Sequence, residues 1–580
     1  MKLDKLLLVS AVFLTSWALA ANPLAFKPSS KKVIIVNSGV LSTEKIRQNI
    51  REIEERAPVH GIEINLLGKT AINDKAVTID PVFHTFTPEP WQYEWFQQDV
   101  DNLKNTDFQR LTDNFLRVSC RGKDLTWDDE QGWANIAAKF GIIAKIARET
   151  GCVGIRIDPE FYGNQTQFSF AYDPQSGKTY DEAWDLARRR GRQIIDAIAQ
   201  AHPDITLFFF FGLSLGNSFL DNSDPYTAMQ SYRYGLWFGF LNGMYDGITP
   251  GMLFLDGNES AGYTARNELD YMRAYARYKM SNHRLLTPEN RAKIAQTETA
   301  NAMYLDAYFG GKRMKSYDVA PDLAEDDMPA RVRHFAKNLD AACKWTDQYV
   351  WLYGERGRWW SKDIVAWSWG SAGSVVNYWD AFAPGFLKAV KAVLDPVAAA
   401  ADSPNLVRNP SFNEPYDEAK LQKAVVDHYP CRIMQWNLYR GKGKTGDFTP
   451  APGQGFQGAD GIRASGFSEM ACLSQTIPAQ PGDKFVLKAK VRELGQPVAA
   501  MMSFHQSVPD RWLWIASDYP PQAEPVALPG DKTWKEITVV LQAPEGHDIT
   551  AIGIGLVVRA QAPGDDVIFS DVSVRKVDFP

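Results

Sequence analysis

Residues 153–160 read Val-Gly-Ile-Arg-Ile-Asp-Pro-Glu, an apolar run that ends in two acidic side chains. Other strand-like runs also end at acidic residues, at Asp256 and Glu259, at Asp306 and at Glu355. Segments with helical periodicity separate these runs, and this alternation predicts an α/β fold with a parallel sheet covered by helices. If the sheet closes into a barrel, every strand ends at one mouth, and the acids converge there.

Eight strands are predicted between residues 33 and 400, which favours a (β/α)8 TIM barrel with insertions at its mouth. An open doubly wound sheet is the alternative, but residues 37–40 lack the Gly-rich first turn that is usual in such sheets. The predicted strands are residues 33–36, 62–66, 115–119, 153–160, 205–211, 252–256, 294–306 and 349–355. The predicted helices are residues 42–56, 94–105, 133–149, 181–201, 267–279, 329–347 and 385–400.

The sequence pattern changes after residue 402. Short alternating apolar runs, separated by turns rich in Pro, Gly, Asp and Asn, predict an antiparallel β-sandwich. These runs lie at residues 485–491, 537–541, 552–558 and 567–569. We therefore expect an export signal over residues 1–20, a barrel over residues 21–402 and a sandwich over residues 403–580.

The first residues have the pattern of an export signal: Lys2 and Lys5, an apolar stretch over residues 6–19 and small residues around position 20. We expect an exported protein that is periplasmic or extracellular. No later run is apolar for long enough to span a membrane. The net charge of −6, without a block of Lys or Arg, argues against nucleic acid as a partner.

Five cysteines in 580 residues do not make a disulfide scaffold, and none has the C-x-x-C spacing of zinc or redox sites. Cys120, Cys152 and Cys343 are expected to be packed thiols. Cys431 and Cys472 both lie in the predicted sandwich, where they could pair in an oxidising compartment.

Asp158 and Glu160 are the first candidate catalytic residues. Side chains alternate along a strand, so the two carboxylates share a face, and Pro159 places them where the strand ends. Neighbouring carboxylates push their pKa values apart, so that one can act as an acid while the other stays ionised. The alternatives are a structural ion pair with Arg156, which has the same parity, or a metal-free structural cluster.

Three further acids are candidates at strand ends. Glu259 closes the run Asp256-Gly257-Asn258-Glu259, which could equally be a polar turn. Glu355 lies among arginines and tryptophans, a composition typical of a sugar subsite or of a local ion-pair network. Asp306 follows Tyr304 and could instead cap the next helix.

Aromatic and polar residues near the same strand ends are candidates for substrate binding. His84 and Trp91 belong to an aromatic loop after the second strand, although a buried structural histidine is the commoner outcome. Arg117 could hold a substrate or neutralise carboxylates inside the barrel. The remaining candidates are Tyr162, Asp256, Asn258, Tyr304, Trp359 and Trp360.

The segments at residues 158–163, 256–259 and 349–360 resemble the (β/α)8-barrel glycoside hydrolases and, more narrowly, a group of secreted bacterial proteins assigned to that class. The resemblance covers roughly residues 30–400 and implies the fold and the reaction class, not the substrate. The Asp-x-Glu motif is also similar to that of chitinase-like barrels, whose last Glu is the acid. Two upstream aspartates of that motif are Val153 and Arg156 here, and the strand-seven Glu of many retaining barrels is Asp306 here.

The C-terminal region resembles the jelly-roll carbohydrate-binding modules of polysaccharide-degrading enzymes. The resemblance rests on residues 405–412, 474–483 and 570–574. It implies aromatic stacking on sugars and a possible structural calcium ion with Asp571 as a ligand. The stacking candidates are Trp436, Trp512, Trp514 and Trp534.

The sequence thus predicts a secreted glycosidase that cleaves a poly- or oligosaccharide by carboxylate catalysis. Glu160 is the expected general acid, Asp158 adjusts its pKa, and Glu259 or Glu355 is the opposing carboxylate. A non-catalytic glycan-binding protein of a surface uptake system is one alternative. A metal-dependent carbohydrate hydrolase or deacetylase is another, which the shortage of strand-end histidines disfavours. No cofactor is expected for catalysis.

The change of pattern near residue 402 generates a first prediction. Limited proteolysis should cut the chain between residues 401 and 405 and release a barrel fragment and a sandwich fragment, which mass spectrometry of the products can identify. A stable fragment that spans residue 404, together with cuts inside the barrel, would refute the division.

Overall fold

The computed structural model describes residues 31–36, 41–72, 74–122, 124–162, 165–170, 177–309, 317–355, 359–360, 378–416, 431–441, 443–493, 498–508, 511–517, 533–544 and 546–579. The predicted export signal, residues 1–20, lies outside the described residues, as do residues 37–40 and 356–358. The chain forms two compact units that divide between Leu394 and Asp395. The division precedes residue 402 because the short helix Pro396–Ala399 groups with the second unit.

The first unit is built on one parallel sheet. Nine strands follow each other in the order β10-β9-β8-β7-β6-β3-β1-β12-β11, and a tenth short strand, β2, pairs with β3. A separate antiparallel hairpin, β4–β5, forms part of the excursion after β3. The strands are β1 (Lys32–Val36), β2 (Leu41–Ser42), β3 (Gly61–Asn65), β4 (Gly68–Ile72), β5 (Lys75–Ile79), β6 (Phe115–Ser119), β7 (Gly154–Asp158), β8 (Thr206–Phe209), β9 (Leu253–Asp256), β10 (Thr297–Thr299), β11 (Asn301–Tyr304) and β12 (Tyr349–Tyr353).

The sheet is nearly closed into a barrel. Its two end strands, β10 and β11, are adjacent in sequence, and this holds the two edges of the sheet together. Only Ala300 separates β10, which pairs with β9, from β11, which pairs with β12. The backbone N–H of Ala300 donates to the carbonyl of Asp256 at 2.8 Å, which continues the contact with β9. The prediction of one strand over residues 294–306 was therefore too long: a 3-10 helix, Pro288–Gln296, precedes the two short strands, and a helix, Leu305–Phe309, follows them.

Helices alternate with the strands as the apolar periodicity indicates. Side-chain caps start five of the eight described α-helices that have eight residues or more, including a capping box at Thr179, whose hydroxyl and backbone exchange hydrogen bonds with Glu182. No described helix is long and apolar enough to cross a membrane. The α-helices of eight residues or more are Thr43–Arg56, Gln97–Lys104, Glu130–Thr150, Tyr180–Ala201, Trp237–Gly247, Glu268–Ser281, Met328–Lys344 and Phe386–Leu394. The shorter α-helices are Pro81–His84, Pro225–Ser231, Glu259–Thr264, Leu305–Phe309, Trp379–Phe382 and Pro396–Ala399. The 3-10 helices are Tyr93–Phe96, Leu213–Ser218, Asn282–Leu285, Pro288–Gln296 and Phe456–Gly458.

Strand β7 shows how the sequence positions the acids. Its five residues are all buried between β6 and β8. Gly154 lets β8 approach closely, since a Cβ there would lie 1.7 Å from the carbonyl oxygen of Thr206. Pro159 follows the last paired residue, Asp158, where a missing N–H costs no ladder bond. The two carboxyl groups therefore lie where the strand leaves the sheet.

The second unit contains two five-stranded antiparallel sheets, ordered β13-β16-β21-β18-β19 and β14-β15-β22-β17-β20. Inward side chains of both sheets form one buried apolar cluster, which includes Trp436. Cys431 and Cys472 are both buried free thiols, as are Cys120, Cys152 and Cys343. The strands are β13 (Asn437–Arg440), β14 (Asp447–Ala451), β15 (Gly461–Ser465), β16 (Ala471–Pro478), β17 (Lys484–Glu493), β18 (Val498–Val508), β19 (Arg511–Ser517), β20 (Lys535–Gln542), β21 (Ala551–Val558) and β22 (Asp566–Lys576).

Two glycine substitutions test the close packing of β7. Gly154→Ala should lower the free energy of unfolding by about 2–3 kcal/mol, because the new methyl group overlaps backbone of β8 that cannot move aside. Gly141→Ala is the matched control, since its Cβ would meet no atom closer than 3.4 Å. In the helix Glu130–Thr150 it should be neutral or stabilise by about 0.5–1 kcal/mol. Chemical denaturation measures both changes, and equal effects would contradict the packing described.

Candidate active site

A cavity of about 340 Å³ opens where the parallel strands end. Asp158 and Glu160 reach it after β7, Glu259 after β9, and Glu355 after β12. Four of the five predicted catalytic acids thus lie in one cavity, although their catalytic roles stay predictions. The cavity is lined by Arg117, Arg156, Asp158, Glu160, Tyr162, Phe210, Glu259, Tyr263, Tyr304, Tyr317, Tyr353 and Glu355.

Tyr162 bridges the first two acids. Its hydroxyl lies 2.7 Å from Oδ2 of Asp158 and 2.9 Å from Oε2 of Glu160. A phenol has one proton, which the two carboxylates would have to share, so the second contact is strongest when one of the carboxyls is itself protonated and donates to the phenol oxygen. Asp158 also accepts the backbone N–H of Glu160 at 2.9 Å. The hydrogen-bond count therefore favours one shared proton on this pair of acids.

Electrostatics support the same conclusion for the acids near β7 and β9. Burial raises the pKa of Asp158, although Arg156 opposes the shift. Partial burial raises the pKa of Glu160, and repulsion from Asp158 adds to the rise. Burial holds the pKa of Glu259 well above its usual range, with repulsion from Glu160 and Asp158 as the next causes. The three groups compete for protons and titrate together.

Glu259 is carried into the cavity by a tight turn after β9. Gly257 lies so close to β8 that a Cβ would stand 2.6 Å from the carbonyl oxygen of Phe210. Asn258 then adopts a left-handed conformation, with φ 48° and ψ 41°, which Asn tolerates better than most residues. Tyr263, four residues after Glu259 on the short helix that follows, hydrogen-bonds to its carboxylate.

Two arginines supply positive charge beneath the acids. The guanidinium of Arg156 donates to Oε2 of Glu63 through both Nε, at 2.9 Å, and Nη2, and it lies 4.4 Å above the ring of Phe210. Arg117 lies 3.9 Å from the other oxygen of Glu63. The alternative in which Arg156 forms an ion pair with Asp158 was therefore wrong. The ion-pair partner of Arg156 is Glu63 on β3. The charge of Arg156 acts on Asp158 only at longer range.

Glu355 approaches the cavity from β12. Its Oε1 accepts the hydroxyl of Tyr353 at 2.7 Å. Its backbone N–H donates to Oδ2 of Asp306 at 2.7 Å. Asp306 is 1% exposed and is not among the residues that line the cavity, so it supports the Glu355 segment.

Tyrosines form one wall of the cavity. The rings of Tyr304 and Tyr353 lie 5.1 Å and 5.9 Å from that of Tyr263, in stacked geometry. Tyr317, which is 40% exposed, stands edge-on to Tyr304 at 5.7 Å. Such a wall offers an apolar face with hydroxyl groups at its margin, the combination that suits a sugar ring.

The other predicted binding residues lie outside this cavity. The ring of His84 contacts the carbonyl of Asp80 at 2.9 Å, and Trp91 packs against Phe96 in the core. Asp256 is buried and accepts the hydroxyl of Ser214 at 2.6 Å and its backbone N–H at 2.8 Å. Two predicted residues, Trp359 and Trp360, are 1% and 2% exposed and belong to the barrel core. Their indole rings are therefore closed to a ligand in this structure.

The described residues contain no group of three or more His, Cys, Asp or Glu side chains that could hold a metal ion. Asp571 is exposed with φ 51°, and its role as a calcium ligand stays a prediction. Among the stacking candidates, Trp436 is 3% exposed, whereas Trp534 is half-buried against Phe456. The side chains of Trp512 and Trp514 lie outside the described residues.

Several residues that line this cavity were not predicted from the sequence. Helical spacing from Glu259 could have found Tyr263, and strand parity with Glu355 could have found Tyr353. Phe210 lies near the end of the predicted strand over residues 205–211 and directly follows the observed strand β8. Tyr317 follows no strand and carries no local signal that points to the cavity.

No protein-family model and no curated protein matches the chain. Among solved structures, the enzymatically active domain of tailspike protein 4 from bacteriophage CBA120 is 17% identical with a TM-score of 0.20, over 30% of this chain and 21% of that one. The structure of TmCBM61 in complex with β-1,4-galactotriose is 15% identical with a TM-score of 0.18, over 30% and 98%. A family 16 carbohydrate binding module is 14% identical with a TM-score of 0.16, over 22% and 84%. Scores this low carry no argument about function.

The raised pKa of Glu259 predicts a pH-dependent gain in stability when its charge is removed. A carboxyl with a raised native pKa stabilises the fold while protonated, below its unfolded pKa of about 4.3, and loses that contribution as pH rises through the native pKa. Glu259→Gln, which stays neutral, should therefore raise the denaturation midpoint at pH 7 and change it little at pH 4. Exposed Glu325→Gln is the control. A gain independent of pH would contradict the assignment.

Proposed function

We propose that this protein is a glycoside hydrolase in which Glu160 is the general acid and Glu355 the opposing carboxylate. The observation that supports this most directly is the meeting of four carboxyl groups in one cavity, where burial raises the pKa of Asp158, Glu160 and Glu259 and repulsion between carboxylates adds to the rise for Glu160 and Glu259. Glycoside hydrolysis needs one carboxyl that is protonated and one that is ionised, on either side of the scissile bond.

The choice of Glu355 rests on the strand order. We propose that β10 and β11 together form one strand of a (β/α)8 barrel, which gives eight positions. Three strands, β6, β3 and β1, then separate β7 from β12 on one side, and β8, β9 and the β10–β11 strand separate them on the other. Glu160 and Glu355 therefore follow strands on opposite sides of the mouth. Glu259 follows β9, two positions from β7, and its interaction with Glu160 is consistent with that closeness.

The acid and the opposing carboxylate have different surroundings, as their roles require. Glu160 shares a proton with Asp158 through Tyr162, and its raised pKa keeps it protonated to higher pH. Glu355 accepts a hydrogen bond from the hydroxyl of Tyr353 at 2.7 Å, which holds its carboxylate in place at the cavity. In the reaction Glu160 gives its proton to the leaving oxygen, while Glu355 attacks the anomeric carbon or activates a water molecule that does so.

We propose that the substrate is a poly- or oligosaccharide held against the tyrosine wall, and that the protein is exported. The second unit, with its two antiparallel five-stranded sheets, would be a jelly-roll glycan-binding module. Half-buried Trp534 is its best remaining stacking candidate. Removal of the module should then weaken binding to polymer more than hydrolysis of short substrates.

Two isosteric substitutions test the roles. Glu160→Gln should lower kcat roughly 10²–10⁴-fold on a natural glycan, because the leaving oxygen loses its proton donor. The same variant should lose much less on an aryl glycoside, whose leaving group needs little protonation. Glu355→Gln should lose activity on both substrates, because the opposing carboxylate acts on the sugar and not on the leaving group. Steady-state kinetics of purified variants on both substrates measure this.

The control for these variants is Glu325→Gln on the exposed surface, which should keep full activity. Equal losses of Glu160→Gln on both substrates would make Glu160 the opposing carboxylate instead. Sugar binding without hydrolysis by the unaltered protein would favour a non-catalytic glycan-binding protein. Full activity of both variants would remove these residues from the mechanism.

A further inference from the structure

We propose that a second cavity, behind the turn that carries Glu259, is a subsite for the next neutral sugar residue of the same glycan. The cavity has a volume of about 360 Å³ and lies beside the ends of β8 and β9. This inference rests on the proposed function, because it assigns the second cavity to the substrate of the first.

Consecutive residues of the chain line the two different cavities. Glu259 lines the first cavity, whereas its neighbours Asn258 and Ser260 line the second. Phe210 likewise lines the first and Phe211 the second. In this proposal, a chain of sugars that leaves the acid cluster past this turn enters the second cavity next.

Asn258 supplies the observation that points to a ligand. The residue is 1% exposed, and its side-chain Nδ2 has no hydrogen-bond partner among the described residues. A buried amide without a partner is costly, and native structures rarely keep one without a reason. The left-handed backbone of Asn258 adds a second local cost at the same residue. A sugar hydroxyl in the cavity would satisfy the amide.

The rest of the lining suits a neutral sugar. Phe211 and Tyr232 supply aromatic surface, and the hydroxyl of Ser260 is available at the exposed edge. Arg277 is the cation of the lining, and its guanidinium already lies 2.5 Å from the carboxylate of Asp221. No carboxylate is among the described residues that line this cavity. The positive charge is thus neutralised, which favours hydroxyl groups over a uronate as the ligand.

The test measures binding in a Glu160→Gln background, so that the glycan is not consumed. The probes are ladders of two to six residues from cello-, xylo-, manno- and galacto-oligosaccharides, with oligogalacturonates as the charged ladder, titrated by calorimetry. Asn258→Gly removes the amide and keeps a residue suited to φ 48°. Ser260→Trp fills the cavity, and Thr264→Trp, exposed on the same short helix and outside both linings, is its control.

We expect both cavity variants to weaken binding of the longer neutral oligosaccharides about three- to tenfold, as loss of one or two hydrogen bonds predicts. The dimers, which occupy the first cavity, and the Thr264→Trp control should be unaffected. Normal binding of long ladders by both cavity variants overturns the subsite and leaves the proposed function standing. Binding of the charged ladder alone overturns the choice of a neutral sugar. Failure of every ladder to bind overturns both proposals.

Discussion

The buried ion pair between Arg156 and Glu63 is the interaction on which the mouth of the barrel depends. Both residues point into the barrel from different strands, and neither is more than 5% exposed. A buried guanidinium without its carboxylate is destabilising by about 3–5 kcal/mol, so the folded barrel interior depends on both partners. The pair fixes Arg156 over Phe210, and Phe210 in turn stacks on Trp351 at 4.8 Å. The floor of the cavity is therefore a rigid stack.

A floor with a fixed positive charge explains how acids can gather above it. The positive charge of Arg156 lowers the pKa of Asp158, but burial of the carboxyl group raises it by more, so the pKa of Asp158 is raised. For Glu160 and Glu259 the opposing effects of Arg233 and Arg156 on the pKa are smaller than those of burial and of the neighbouring carboxylates, so both groups depend more on protonation. The site is thus a place where the fold gives up stability, and such concentrations of perturbed carboxyls are more frequent in active sites than in structural cores.

Much of this architecture could be predicted from the sequence, because the patterns involved are local. The end of β7 at Asp158, the shared face of Asp158 and Glu160, and the strand-end position of Glu259 and Glu355 all follow from strand parity and Pro159. The partner of Arg156 could not be predicted, since Glu63 lies 93 residues away in sequence. Trp359 and Trp360 were expected at the mouth but are buried, because an aromatic residue after a strand fits a core as well as a ligand site. The strand is interrupted at Ala300 because β10 pairs with β9 whereas β11 pairs with β12. Amino-acid composition does not reveal such pairing partners.

The left-handed turn at Asn258 has a consequence for how this protein can change over evolution. Consecutive Cα atoms are about 3.8 Å apart, so residues 258–260 hold the geometry of two cavities with one short piece of backbone. An insertion or deletion in that turn would displace both cavities at once and would be eliminated by selection. In the segment Leu213–Ser218, Ser214 is tied to this turn through Asp256, but Leu215, Asn217 and Ser218 border only the second cavity among the described linings and are outside that constraint. Divergence between related proteins should therefore be concentrated in that segment, where a lineage can adapt to a new glycan without disturbing its acids.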